Sequence, residues 1–395
     1  MICAKAKWKG RPAVRLANGA IELTTLTDGG AIADLHLTGS SSGTGHNVLW
    51  EAPWPLLDAI DYRPRVHNRT YGPEFVGRFL AGFTGQALCL DYFGAPSQAE
   101  AKQGLCLHGE ASVNRWKVVE QSPSKVGPSV LMEVKLPRAG LRFQRELHMR
   151  RNETVVYVAE TVFNLRETDH FFHWTQHVTL GPPFFQEGES VICLPASRAM
   201  TWPHGYEGKS LLADSKEFSW PYAPAKDGST VDISRPFLRR GTGFVSAALL
   251  NSERDIAFVA ALNSRLGLIL GYCFPRKAYP WVAIWEENCA RQNSPWNGTT
   301  RARGVEFGTT PMPVGKRETF AAGSLFGTPT FQWIPARGKQ QFSYAIFLAP
   351  AKPGWIAIRD VECGAHAITV TGTRGDSFDI PAHDLSNIWK RPGAS

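Results

Sequence analysis

Strand signals run through this chain from end to end, and almost no stretch shows the sustained 3.6-residue period of a long helix, which restricts it to a β architecture. Short runs rich in β-branched and aromatic residues are separated by Gly, Pro, Asn and Asp. The clearest pair predicts a hairpin, with one strand over Leu141–Met149, a turn at Arg151-Asn152-Glu153 and a return over 154–163. Phe143, Leu147 and Met149 alternate with polar neighbours, as a strand buried on one face requires. Further strands are predicted over 244–250, 256–262, 266–273, 281–285, 342–348 and 356–361. So many strands at this spacing predict a large all-β sandwich.

No break in composition marks a second domain, and sandwiches routinely exceed 250 residues, so the 395 residues are read as one domain. Within it, 340–395 is read as a C-terminal β appendage ending in a polar tail at 390–395. Hydrophobic content of 43% suits a folded globular protein, and no run approaches the ~18 apolar residues needed to span a bilayer. Met1 to Lys9 lacks the apolar stretch of a signal peptide, which favours a cytoplasmic location. The net charge of +8 is spread through strands and turns without a basic stripe, so it is read as solvated surface rather than a nucleic-acid groove. Seven cysteines without a Cys-x-x-Cys pair read as reduced core residues.

Three polar residues stand out. Alternation in Phe171-Phe172-His173-Trp174-Thr175-Gln176-His177-Val178-Thr179 places Phe171, His173, Thr175, His177 and Thr179 on one strand face. A His-Thr-His-Thr row is costly in a dry core without partners, so this face is expected to line a wet cleft. Glu306 lies between Val305 and Phe307, which face the other way, and between Gly304 and Gly308, which let a ligand or another backbone approach closely. His108 follows Leu107 and precedes Gly109-Glu110. A histidine that titrates near neutrality and a glutamate that can take a hydroxyl proton suit proton transfer without redox change, such as opening and closing a sugar ring. No His-Glu-x-x-His, calcium-loop or phosphate-loop pattern occurs, so no metal or other cofactor is expected.

The order of several short motifs resembles the aldose 1-epimerase (galactose mutarotase-like) superfamily: Leu16 to Leu23 and Thr25 to Ile32, Gly77-Arg78-Phe79, His108-Gly109, Asn164, His177 and Glu306. The resemblance spans roughly 14–320 as scattered motifs. It implies a β-supersandwich with a sugar cleft on a concave face, His177 as general acid on the ring oxygen and Glu306 as general base on the anomeric hydroxyl. It also implies contacts to sugar hydroxyls from Arg78 and His108, and to substrate from Trp285 and Glu287. The chain departs from the pattern at Leu180-Gly181-Pro182-Pro183 and at Phe307, so the sugar-facing wall is expected to be remodelled. The function expected is anomer interconversion on a small-molecule carbohydrate, by a monomer or homodimer with no nucleic-acid or membrane partner. A non-catalytic carbohydrate-binding or sensing protein is a second reading. An oligosaccharide hydrolase or lyase is a third, and would need a longer groove. If one pyranose is to touch both groups, His177 and Glu306 must converge to within roughly 5–8 Å, with His108 in the same pocket.

Overall fold

The computed structural model describes residues 1–39 and 45–389; the tail at 390–395 lies outside the described residues. Two large antiparallel sheets are stacked face to face. The larger has twelve strands. Along it run Ile2–Trp8, Arg11–Ala17, Ile21–Leu26, Ile32–Leu37, Gln86–Asp91, His170–Leu180, Arg301–Gly308, Trp281–Asn288, Thr242–Leu250, Ala196–Thr201 and Glu217–Ser219, and Gln332–Ile334 pairs with the start of His170–Leu180. The smaller sheet runs Ser190–Cys193, Ile256–Asn263, Leu268–Pro275, Lys339–Pro350, Val155–Asn164, Leu141–Met149, Pro128–Leu136 and Lys117–Pro123.

Local sequence explains the turns. At the hairpin between Arg11–Ala17 and Ile21–Leu26 Gly19 takes a φ of +98°, and the Asn18 side-chain oxygen accepts the N–H groups of Ala20 and Ile21 at 3.0 and 2.9 Å. Leu141–Met149 alternates buried and half-buried along its whole length, as the sequence pattern predicts. The inner faces of both sheets meet in one core holding Leu23, Leu88, Val178 and Val305 from one sheet and Val134, Phe143, Val158 and Ile346 from the other.

Polar groups are also buried in that core. Arg145 and Glu160 are fully buried and joined at 2.7 Å, and Glu160 also accepts from Trp174 Nε1 and Gln176 Nε2 at 3.1 and 2.6 Å. Arg303 and Glu286 form a second buried pair. Arg145 and Arg303 are therefore not solvated surface. Each guanidinium meets a buried carboxylate and backbone carbonyls, among them Gly30 O for Arg145 and Ile233 O for Arg303.

Lys339–Pro350 sits in the middle of the smaller sheet, between Leu268–Pro275 and Val155–Asn164, rather than in an appendage beginning at 340. What stands outside the two sheets is the three-stranded sheet Ile358–Cys363, Ala367–Gly372 and Ser377–Pro381 with the helix Leu385–Trp389. It covers the outer face of the smaller sheet in a second core that includes Tyr157, Phe258, Cys273, Phe347, Val361 and Val370.

The larger sheet is covered on its outer face too. Between Ile32–Leu37 and Gln86–Asp91 the chain makes a long excursion carrying Trp50, Trp54 and the helices Pro64–Tyr71 and Glu74–Gly82. Short helices are hard to read from a β-rich sequence, yet these two are amphipathic and bury Tyr71, Phe79, Leu80 and Ala81. A β-carbon on Gly77 would stand 2.1 Å from the Tyr62 hydroxyl, so helix packing explains that glycine.

Candidate functional site

His177 and Glu306 are direct cross-strand partners on neighbouring strands at the centre of the larger sheet. Their side chains leave the sheet on the same outer face, and His177 Nε2 lies 3.4 Å from Glu306 Oε1, closer than the separation expected from the sequence. Both are almost fully buried. The other imidazole nitrogen, Nδ1, is hydrogen-bonded to the Thr179 hydroxyl at 3.0 Å, two residues along the same strand face. Glu306 Oε1 is buried without a hydrogen-bond partner. A β-carbon on Gly304 would stand 2.0 Å from that oxygen, so Gly304 makes room for the carboxylate itself rather than for a ligand. Gly308 does the same for Thr175, whose hydroxyl would meet a β-carbon at 2.3 Å.

The peptide of Phe93 holds the other two imidazoles. His108, at a φ of +63°, donates from Nδ1 to Phe93 O at 2.6 Å, and Phe93 N donates to His173 Nδ1 at 3.1 Å. Burial pushes His108 down to about 4, so its imidazole is neutral near pH 7, and with Nδ1 donating, Nε2 is left as an acceptor. The His108 and His177 rings pack edge to face, with centroids 5.0 Å apart. His173 and Thr175 share the His177 face but are fully enclosed. The expected wet row is therefore dry at that end, where His173 accepts a backbone N–H at Nδ1 and its Nε2 is buried without a partner.

Around this centre lies a cavity of about 260 Å³ with aromatic walls. Phe79 and Phe83 come from the helix Glu74–Gly82 and the residue after it. Trp202, Tyr206, Trp285 and Trp296 complete the wall, with Arg291 at its edge. The ring of Phe83 stands edge-on to His177 at 5.2 Å, and Phe79 to His108 at 4.6 Å. Arg291 lies over Tyr206 and Trp296 and is paired with Glu207 at 2.8 Å. Of the residues singled out in the sequence, His108, His177, Trp285 and Glu306 line the cavity.

Glu287 and Arg78 do not. Neighbours on a strand face opposite ways, and Glu287 shares Trp285's face but is completely buried beneath the wall. It accepts from the Tyr206 hydroxyl at 2.8 Å and from the N–H groups of Ala290 and Arg291 at 2.5 and 3.0 Å. Tyr206 in turn accepts from Trp285 Nε1 at 2.8 Å, so Glu287 positions the wall instead of touching its contents. Arg78 is half-buried on its helix, and it is the next residue, Phe79, that reaches the cavity.

The remodelling expected at Phe307 and Gly181 also falls elsewhere. Phe307 faces the inter-sheet core and stacks on Phe274 at 4.4 Å. Gly181 accommodates Trp50, whose Cδ1 would lie 2.3 Å from a β-carbon there. Sequence reasoning missed Phe83, Arg291 and Trp296. They come from an irregular segment and from loops, with no motif around them.

Burial dominates the electrostatics. It holds the His177 imidazole well below its ordinary value, with the positive charge of a protonated His108 adding to the effect, and it pushes the Glu306 carboxyl well above its own. Burial therefore favours neutral imidazole and carboxylic acid over the charged pair. The imidazolium–carboxylate form contains the same number of protons, so the two forms differ only in where one proton sits. Such a pair can deliver a proton from one group and collect one at the other, for groups presented on one side of a small ring. Among the described residues no group of three or more His, Cys, Asp or Glu side chains is placed to hold a metal ion, and no helix is long and apolar enough to cross a membrane.

No protein-family model matches the sequence, and no curated protein matches it. Solved structures do match in fold. A protein from Klebsiella pneumoniae, provisionally described as an aldose 1-epimerase, superposes with a TM-score of 0.62 at 15% identity, covering 87% of this chain and 81% of that one. A galactose mutarotase-like protein from Clostridium acetobutylicum gives 0.58 at 13% identity, covering 88% and 98%. A galactose mutarotase-related enzyme from Lactobacillus acidophilus gives 0.53 at 11% identity, covering 86% and 99%. With its two stacked antiparallel sheets and the cavity on the outer face of the larger one, this chain has the galactose mutarotase-like fold.

Proposed function

We propose that this protein interconverts the anomers of a free monosaccharide, with His177 as general acid and Glu306 as general base. The observation that carries the reading is the opposed pair itself, a histidine and a glutamate 3.4 Å apart at the floor of an aromatic-walled cavity. A volume of about 260 Å³ suits one sugar ring and its hydroxyls, not an oligosaccharide groove. Aromatic faces pack against the C–H bonds of a pyranose.

In the proposed cycle the sugar's O–H dipoles replace water around the pair and favour its charged form. Glu306 removes the proton from the anomeric hydroxyl, His177 protonates the ring oxygen, and the C1–O5 bond breaks to leave an aldehyde and a free hydroxyl. The pair is now neutral imidazole and carboxylic acid, the state that burial favours, so the dry cavity stabilises the side of the reaction where the ring is open. Rotation about the C1–C2 bond presents the other carbonyl face, and closure returns both protons. His108, neutral with Nε2 free to accept, is suited to take a hydrogen bond from a sugar hydroxyl.

Saturation-transfer NMR across a panel of free sugars tests this reading. At least one sugar should show accelerated exchange between anomers, and His177→Ala and Glu306→Gln should each lose about 100-fold or more in rate. Sugar-induced thermal stabilisation without faster exchange would instead select a carbohydrate-binding or sensing role. Exchange that is equally fast in both variants would remove the roles given to the two residues.

A further inference from the structure

His177 meets a different group at each ring nitrogen. Nε2 lies 3.4 Å from Glu306 Oε1, and Nδ1 lies 3.0 Å from the hydroxyl of Thr179, which is fully buried. Thr179 is held in place on both sides. Its N–H donates to Gly85 O at 3.0 Å, its C=O accepts from Trp50 N at 2.8 Å, and across the other edge of its strand it stands in register with Gly304. Thr175, two residues before His177 on the same face, carries the same kind of buried hydroxyl but has no hydrogen-bond partner among the described residues. Of the two threonines that flank His177 on this face, Thr179 is the one bonded to the imidazole.

We propose that Thr179 is a positioning residue that keeps a proton on Nδ1 of His177 in every state of the cycle, so that Nε2 alone gains and loses one. This rests on the roles proposed for His177 and Glu306. An imidazolium carries a proton on both nitrogens, so in that form Nδ1–H donates and the Thr179 oxygen accepts. When Nε2 gives its proton to the ring oxygen, the bond to Thr179 is left untouched, and the lone pair uncovered at Nε2 faces Glu306 Oε1. That oxygen has no hydrogen-bond partner among the described residues, so it is free to exchange a proton with Nε2.

The other neutral tautomer would not serve the cycle. With its one proton on Nε2, the ring would need the Thr179 hydroxyl to turn round and donate to Nδ1, and the next proton would have to enter at Nδ1, on the buried side that Thr179 occupies. Holding the proton on Nδ1 reduces the exchange between acid and base to one hop across the gap between Nε2 and Oε1. The same bond opposes a half-turn of the ring, which would set a carbon against the hydroxyl.

The test reads the tautomer directly, by long-range proton–nitrogen correlation NMR on the full chain labelled with nitrogen-15 at histidine, with the His177 signals identified by their loss in His177→Gln. Near pH 7 the wild type should show neutral His177 protonated at Nδ1. Thr179→Val keeps the β-branched shape and removes the acceptor. It should move the His177 signals towards the Nε2–H form or a mixture, and lower kcat for anomer exchange roughly 10- to 100-fold, the worth of one hydrogen bond to a charged group, with KM little changed. Thr179→Ser should restore both readouts, and Thr175→Val, which removes the unpartnered hydroxyl, should move neither. An Nε2–H tautomer in the wild type, unchanged His177 signals in Thr179→Val, or a Thr179→Val loss that appears in KM instead of kcat would overturn the proposal while wild-type exchange, and with it the catalytic reading, stands. Absence of accelerated exchange in the wild type would instead remove the catalytic reading and the proposal with it. The wild-type tautomer is read without any substitution, so a variant that fails to fold leaves the test intact.

Discussion

Under the proposed function, replacing Gly304 by alanine separates the position of the base from its presence. The added β-carbon would stand 2.0 Å from Glu306 Oε1 and 3.2 Å from the Trp285 Cβ, whereas ordinary contact begins near 3.4 Å. The strand is held on both sides by Trp281–Asn288 and His170–Leu180, so the backbone has little freedom to move. The carboxylate yields instead, and its oxygen must retreat by about 1.4 Å from where it now meets His177. Misplacement of a reacting group by about 1 Å can cost ~100-fold in rate, or about 2.7 kcal/mol of transition-state stabilisation. Folding should suffer little, because the clash is with a side-chain end, and alanine loses less conformational entropy than glycine on folding, by about 0.4–1 kcal/mol. The assay is kcat/KM for anomer exchange by NMR, alongside a urea unfolding curve. Gly304→Ala should keep its unfolding midpoint and lose about two orders of magnitude in rate. A full rate in this variant would refute the idea that the carboxylate's position governs the chemistry. A rate loss matched by a collapse in stability would show that the glycine serves the strand rather than the base.

Because His177 is held down and Glu306 up by burial, the rate should be bell-shaped in pH. The acid limb should lie below the ordinary histidine value, where the pair gains a second proton, and the alkaline limb well above the ordinary carboxylate value, where it loses its only one; an acid limb above pH 6.5 would contradict the assigned shift. Glu287→Ala strands the Tyr206 hydroxyl and two loop N–H groups, so it should cost about 3 kcal/mol in urea unfolding and raise KM more than it lowers kcat, the reverse of Glu306→Gln. Arg145→Met leaves Glu160 unpaired in the inter-sheet core and should destabilise by about 3–5 kcal/mol. Adding Glu160→Gln should recover part of that loss, and a single-variant cost below about 1 kcal/mol would mean the pair is dispensable.

The fold was legible wherever one strand face is buried and the other is not. Leu141–Met149 shows its alternation openly because its second face is half-exposed, and the expected strand coincides with the observed one. His170–Leu180 is buried on both faces, yet its alternation still sorted residues correctly: His177 and Thr179 lie on the outer face, with His177 lining the cavity, while Trp174 and Gln176 face the core. What alternation cannot report is how wet a face is. His173 and Thr175 lie on the cavity side but are sealed, because Phe93 and the chain around it close over that end of the strand. The same limit explains the arginines. A buried guanidinium is readable only when its carboxylate partner is known, and Glu160 lies 15 residues from Arg145 on the neighbouring strand.

The candidate site was legible as a pair and illegible as a container. His177 and Glu306 could be paired because their order resembles that of the aldose 1-epimerase superfamily and each sits in a strand whose neighbours declare its direction; cross-strand register brings them together. The wall has no such grammar. Phe83 follows a helix inserted between two strands, Trp202 and Tyr206 lie in a loop after Ala196–Thr201, and Arg291 and Trp296 lie in the loop before Arg301–Gly308. Each is an ordinary loop residue until the sheet curls these segments together. Glu287 shows the consequence: an acid beside Trp285 looked like a ligand contact, but the loop that follows folds back so that its own N–H groups claim the carboxylate. Under the proposed function the wall, not the pair, would decide which sugar fits, so two chains could carry the same histidine and glutamate on the same strands and accept different substrates. The helix end at 79–83 and the loops at 202–206 and 291–296 are therefore where substitutions should alter sugar preference while leaving the proposed proton chemistry in place.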